Sequence, residues 1–88
     1  MYRQAIGRRL NFRPMVGGEL RRLRERAKLT QEQLSFRAGL SRPYISQLER
    51  DLKSPTLDTL FLICDALDVS AANVVRRVDA ARTRKAGR

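Results

Sequence analysis

Two hydroxyl residues with a glycine between them constrain this chain more than any other feature. Thr30 is followed three residues later by Gln33. That is the pattern of a capping box, in which the hydroxyl and the amide side chain satisfy two orphan amides at a helix start. The turn Ala38-Gly39-Leu40 comes next, and Gly39 can take the left-handed conformation that ends a helix. Ser41 then caps a second helix, and Pro43 falls in its first turn, where a missing amide hydrogen does no harm. Residues 30–50 are thereby held to two short helices and a tight turn. Leu34, Arg37 and Ala38 share one side of the first helix, and Ile45 and Leu48 give the second its core-facing side.

The flanking sequence supplies more helices. Val16, Leu20 and Leu23, extended by Ala27, form an apolar stripe over about 16–27, with Lys28-Leu29 as the exit. Asp51-Leu52-Lys53-Ser54-Pro55 reads as a loop. Thr56 caps a fourth helix with Leu57, Leu60, Ile63, Cys64 and Leu67 inward. Asp68-Val69 turns, and Ser70 caps a fifth helix to about Asp79 with Val74, Val75 and Val78 inward. Pro14 and Gly17-Gly18 punctuate the start, and Ile6 and Leu10 have the spacing of a short additional helix before them. No strand alternation or internal repeat is present. The expected fold is all-α, a compact bundle of about five short helices containing a helix-turn-helix, whose second helix enters the DNA major groove.

Charge divides the chain. The net charge is +10, yet all nine acids lie within residues 15–79. Residues 1–14 hold Arg3, Arg8, Arg9 and Arg13, and residues 80–88 hold Arg82, Arg84, Lys85 and Arg88. The expected organisation is a basic N-terminal arm over 1–14, a nearly balanced domain over 15–79 and a basic tail over 80–88. Such arms suit a polyanion, most simply DNA phosphate, or serve solubility alone. An arm could lie in a minor groove or along the backbone. A chain of 88 residues makes one small core and leaves no room for a separate ligand-sensing domain. There is no apolar run of the about 20 residues a bilayer requires, and no secretory signal at Met1. One cysteine, Cys64, fits a reducing cytoplasm. With no histidine, no metal-ligand cluster and no phosphate-cradling glycine loop, neither an enzyme nor a cofactor is expected.

The side of the second short helix opposite Ile45 and Leu48 carries Arg42, Pro43, Ser46 and Gln47. Arg42 can donate two hydrogen bonds to guanine, Gln47 can pair with adenine, and Pro43 can touch a thymine methyl. Ser46 is short and less selective. Otherwise these are solvated helix surface. Tyr44, Arg50 and Lys53 flank this face as phosphate candidates, and the amides that open the helix after Thr30 and Gln31 favour an anion.

The segment resembles the Cro and phage-repressor family of bacterial regulators. Gln31-Glu32-Gln33-Leu34, Gly39, Ser41, Tyr44-Ile45-Ser46 and Leu48-Glu49-Arg50 carry the likeness. It continues through Ser54-Pro55-Thr56-Leu57 to Leu67-Asp68-Val69-Ser70 and spans roughly Gly17 to Val78. The resemblance implies the bundle fold and makes Arg42, Pro43, Ser46 and Gln47 the base readers. It makes Gln31 a phosphate holder that also braces the recognition helix, and Glu49 the ion-pair partner of Arg24. Asp51 departs from the family, which more often has glycine there. A carboxylate near DNA is unfavourable, so it points away or the loop is shaped differently.

One short helix reads few bases, so a homodimer on an inverted repeat of double-stranded DNA is expected. Leu62, where the helical period predicts exposure, and the Ala71-Ala72 start of the fifth helix are candidates for a self-complementary patch. The expected role is a transcriptional regulator, most simply a repressor that occludes a promoter. RNA polymerase or a toxin is a possible protein partner. An antitoxin, a restriction-modification controller and a protein-interaction module without sequence-specific DNA binding are the alternatives.

Overall fold

The computed structural model describes residues 16–86. They form five α-helices: α1 (Val16–Arg26), α2 (Gln31–Ala38), α3 (Arg42–Glu49), α4 (Leu57–Leu67) and α5 (Ala71–Ala86). The arm over 1–14 and the Ile6–Leu10 helix lie outside the described residues, as does Arg88 at the far end.

Local chemistry sets where the helices begin. Thr30 Oγ1 accepts from the Gln33 amide at 3.0 Å, while the Thr30 amide donates to Gln33 Oε1 at 2.8 Å, so the capping box is complete. Ser41, Thr56 and Ser70 each accept from the amide three residues on, at 3.2, 3.0 and 3.2 Å. The ends are equally uniform. Lys28, Gly39, Asp51 and Asp68 all have φ between 58° and 72° and follow α1, α2, α3 and α4. After each, the next amide reaches back five residues: Leu29 to Arg24, Leu40 to Ser35, Leu52 to Gln47 and Val69 to Cys64. These are Schellman ends, and only one of the four uses glycine.

The core is Leu20, Leu34, Ala38, Ile45, Leu48, Leu60, Ile63, Cys64, Leu67 and Val74. α2 and α3 pack on each other, α1 packs on α3, and α4 closes over α2. Cys64 is a buried free thiol, and burial, assisted by the Asp65 charge, pushes its pKa up. It is a packing group that resists ionisation.

Several positions differ from the sequence expectation. Leu57 was expected inward but is 63% exposed, because it opens α4 where no element lies over the first turn. Val75 is half exposed, since Val74 and Val78 take the inward side of α5 and Val75 lies 100° round from Val74. Arg37 and Ala27 are exposed, and the buried neighbour of Leu34 is Ser35, whose hydroxyl donates to the Glu32 carbonyl at 2.8 Å. α5 runs to Ala86, well beyond Asp79. Ala80 and Ala81 are strong helix formers, Ala81 is half-buried, and Arg82 lies 3.6 Å from Asp79 one turn back.

Candidate nucleic-acid interface

Ile45 and Leu48 anchor α3 in the core at 1% and 0% exposure, which fixes the rotation of this eight-residue helix. The opposite side is then committed to solvent. Arg42 and Pro43 are exposed at its first turn, and Ser46 and Gln47 are half-buried one turn later. Arg50 continues the same side past the helix end; it is exposed, with Nε donating to the Ser46 carbonyl at 3.3 Å. Tyr44 packs its ring against the core and is half-buried. Lys53 is exposed in the following loop. Across the turn, Thr30 is exposed and Gln31, the first residue of α2, is half-buried.

An ion pair holds this surface from behind. Arg24 Nε donates to Glu49 Oε2 at 2.7 Å and Nη2 donates to Oε1 at 3.0 Å, a bidentate fork. The third Arg24 nitrogen, Nη1, donates to the Leu29 carbonyl at 2.8 Å. Gln31 Nε2 completes the set on Glu49 Oε1 at 3.1 Å. One carboxylate at the end of α3 thus ties together α1 and the start of α2, while Arg24 itself holds the turn between them. The hydrogen bonds that Arg24 donates to Glu49 raise the Arg24 pKa further above the usual arginine range, against the opposing effect of burial. The Gln31 side-chain nitrogen is engaged here, and the Gln33 amide by Thr30 Oγ1, so of the first three α2 residues only Gln31 and Glu32 keep backbone amides without an intrahelical or capping partner.

Asp51 takes the left-handed conformation at φ 58°, which explains why glycine would suit the position. Its carboxylate turns toward α1, where Oδ1 accepts from the Gly17 amide at 3.0 Å. Sequence reasoning did not find this contact. The glycine pair Gly17-Gly18 at the start of α1 was its only trace.

Phe36 on α2 and Leu52 beside Lys53 are exposed apolar side chains, and a further apolar surface lies away from α3. Leu57, Phe61, Ala71, Ala72 and Val75 line a groove between α4 and α5, with Arg76 and Asp79 at its rim. Leu62 is 47% exposed but is not among the lining residues, because it faces 100° away from Phe61 around α4. The groove therefore joins the expected Ala71 and Ala72 to Phe61 and to Leu57 and Val75, which the sequence had placed inward. Among the described residues, no helix is long and apolar enough to cross a membrane, and no acidic or cysteine cluster could hold a metal.

Comparison with known proteins yields a consistent set. A family model described as helix-turn-helix matches residues 20–73. An uncharacterised helix-turn-helix-type transcriptional regulator of Sinorhizobium fredii is 40% identical over 70 residues, covering 80% of this chain and 91% of that protein. The crystal structure of the clp gene regulator ClgR from Corynebacterium glutamicum superposes with a TM-score of 0.77 at 28% identity, covering 84% of this chain and 79% of that one. The restriction-modification controller protein C.AhdI from Aeromonas hydrophila superposes with a TM-score of 0.67 at 33% identity, over 69% of this chain and 92% of that one.

Proposed function

Because the chain belongs to the helix-turn-helix family of Cro and phage-repressor type, we propose that it regulates transcription as a homodimer that reads an inverted repeat. α3 enters the major groove and presents Arg42, Pro43, Ser46 and Gln47 to base edges. Thr30, Gln31, Tyr44, Arg50 and Lys53 hold the backbone on either side, and the basic segments at the two ends add salt-sensitive affinity. Occlusion of a promoter makes it a repressor. The observation that carries this reading is the brace behind α3. Glu49, at the helix end, is held by Arg24 and Gln31 together, so the outward side of α3 has one fixed orientation. Precise readout needs that rigidity.

The groove between α4 and α5 is the face that receives the second copy. Leu57, Phe61 and Val75 stay wet in a monomer, and Arg76 and Asp79 on its rim carry opposite charges that a two-fold axis can set against each other. Phe61→Glu then sediments as a monomer while Leu62→Glu remains a dimer; the reverse result assigns the contact to Leu62. The test of the whole reading is selection of bound duplexes from a random pool at near-physiological salt. It should enrich an inverted repeat with half-sites about 34 Å apart. Retention of DNA with no enriched sequence overturns it.

A role as controller of a restriction-modification system is a second reading. It is supported by the likeness to the Aeromonas controller, most of whose length this chain spans. A restriction or modification gene beside this one in the genome is the observation that decides it.

A further inference from the structure

We infer that Asp51 is a positioning residue for DNA reading, fixing α3 and its following loop on the start of α1. The inference rests on the reading that α3 enters DNA, and it concerns a residue at which the family more often has glycine.

The start of α1 and the end of α3 meet without room for a side chain. A Cβ added at Gly17 would lie 2.4 Å from the Leu48 carbonyl oxygen and 2.8 Å from that of Glu49, both backbone atoms of α3. Into the same corner Asp51 brings Oδ1, 3.0 Å from the Gly17 amide. That amide belongs to the first turn of α1, where backbone N–H groups have no partner within their own helix. A carboxylate there gains both the hydrogen bond and the positive end of the helix dipole.

The consequence is geometric. Glu49 fastens α3 to Arg24, in the last turn of α1. That pair, with Ile45 and Leu48, orients α3 but does not reach the loop that follows it. Asp51 adds an attachment on the same partner helix, at its first turn, and holds the helix end and the start of that loop there. Arg50 and Lys53 flank Asp51 in sequence, so the same contact sets where these two cations stand along the DNA backbone. It also turns the intervening negative charge into the protein and away from phosphate.

Asparagine and glycine separate positioning from charge. Asp51→Asn keeps an acceptor oxygen and tolerates the left-handed backbone, but removes the charge. Asp51→Gly suits the backbone best and loses both charge and acceptor. Neither change threatens the core, and thermal unfolding of each verifies the fold. The probe is the duplex enriched by the full-length protein, measured against a scrambled duplex of equal length.

Asp51→Gly should lose about ten-fold of discrimination between the two duplexes, the equivalent of one charge-assisted hydrogen bond at the low end of its range. Asp51→Asn should stay within about three-fold of the parent, consistent with a neutral bond replacing a charged one. Amide exchange at Gly17 should accelerate in the glycine variant and much less in the asparagine variant. The inference is overturned if Asp51→Gly discriminates as well as the parent. It is also overturned if both variants tighten binding to both duplexes equally, which is the signature of charge alone. A parent protein that enriches no duplex overturns the DNA reading and this inference with it. Unprotected Gly17 exchange in a parent that does enrich one removes the Asp51 contact alone.

Discussion

Replacing Arg24 by alanine tests the brace behind α3 directly. The substitution deletes two hydrogen bonds to Glu49, at 2.7 and 3.0 Å, and one to the Leu29 carbonyl at 2.8 Å. Glu49 stays in place with its side chain only 3% exposed and the Gln31 amide, 3.1 Å away, as its remaining partner. A buried carboxylate that loses its cation costs about 3–5 kcal/mol. At about 0.05–0.15 kcal/mol per residue, a bundle of this size has about 4–10 kcal/mol in total. Arg24→Ala should therefore remove a third or more of the stability and leave the chain partly unfolded at 37 °C. Urea unfolding followed by circular dichroism at neutral pH measures it, provided the slope with denaturant is unchanged. The double replacement Arg24→Met with Glu49→Leu should recover most of the loss, because no charge is left buried. A loss under about 1 kcal/mol for Arg24→Ala would mean that water reaches Glu49 and that the pair does not hold the helix. A double variant no better than the single would show that shape, not charge, is what the site requires.

Three further outcomes follow from the same geometry. Gly17→Ala places a methyl 2.4 Å from the Leu48 carbonyl oxygen, so it should cost about 1–3 kcal/mol in thermal unfolding despite the better helix propensity of alanine; a more stable variant would mean that α1 and α3 separate freely. Lys28→Gly relieves a left-handed lysine at φ 60° and should stabilise the fold by about 1 kcal/mol; a loss of stability would show that the lysine side chain is anchored. Glu19 accepts from Arg22 at 2.8 Å and from Arg77 of α5 at 2.8 Å. Its pKa is lowered from the ordinary 4.5, first by the Arg22 hydrogen bond and then by Arg77, against the effect of burial. A lowered folded-state value means that the contribution is fully present above 4.5 and lost as pH falls through the folded value. Between neutral pH and about pH 3, Glu19→Gln should lose less stability than the parent. Equal losses would show that Glu19 has the same affinity for protons in the folded and unfolded chain.

The start of every helix after α1 could be read from the sequence, because hydroxyl caps act within three residues. Gly39 gave one stop for the same reason. The stops at Lys28, Asp51 and Asp68 were not legible as left-handed ends. Each is a residue that takes this conformation less readily than glycine, and a backbone bond from the next amide to the last helical turn closes each end. Leu57 and Val75 were misplaced because helical periodicity locates a stripe but not its edges. Whether the first turn of α4 is covered depends on where α5 lies. The outward side of α3 was legible because its inward pair, Ile45 and Leu48, is unambiguous. The Asp51 to Gly17 bond joins residues 34 apart, and no local pattern announces it.

The Schellman ends bear on how quickly the protein becomes available. α2, α3 and α4 each open on a hydroxyl cap and close on a backbone bond spanning five residues. Their lengths are therefore set by contacts between near neighbours in the chain, before any helix has met another. Chains dominated by such contacts fold in microseconds to milliseconds, far faster than a ribosome adds one residue. For the homodimer proposed above, the lag between synthesis and action would then be set by the encounter of two subunits. That lag shortens as the protein accumulates, so its response would sharpen with abundance and not with time.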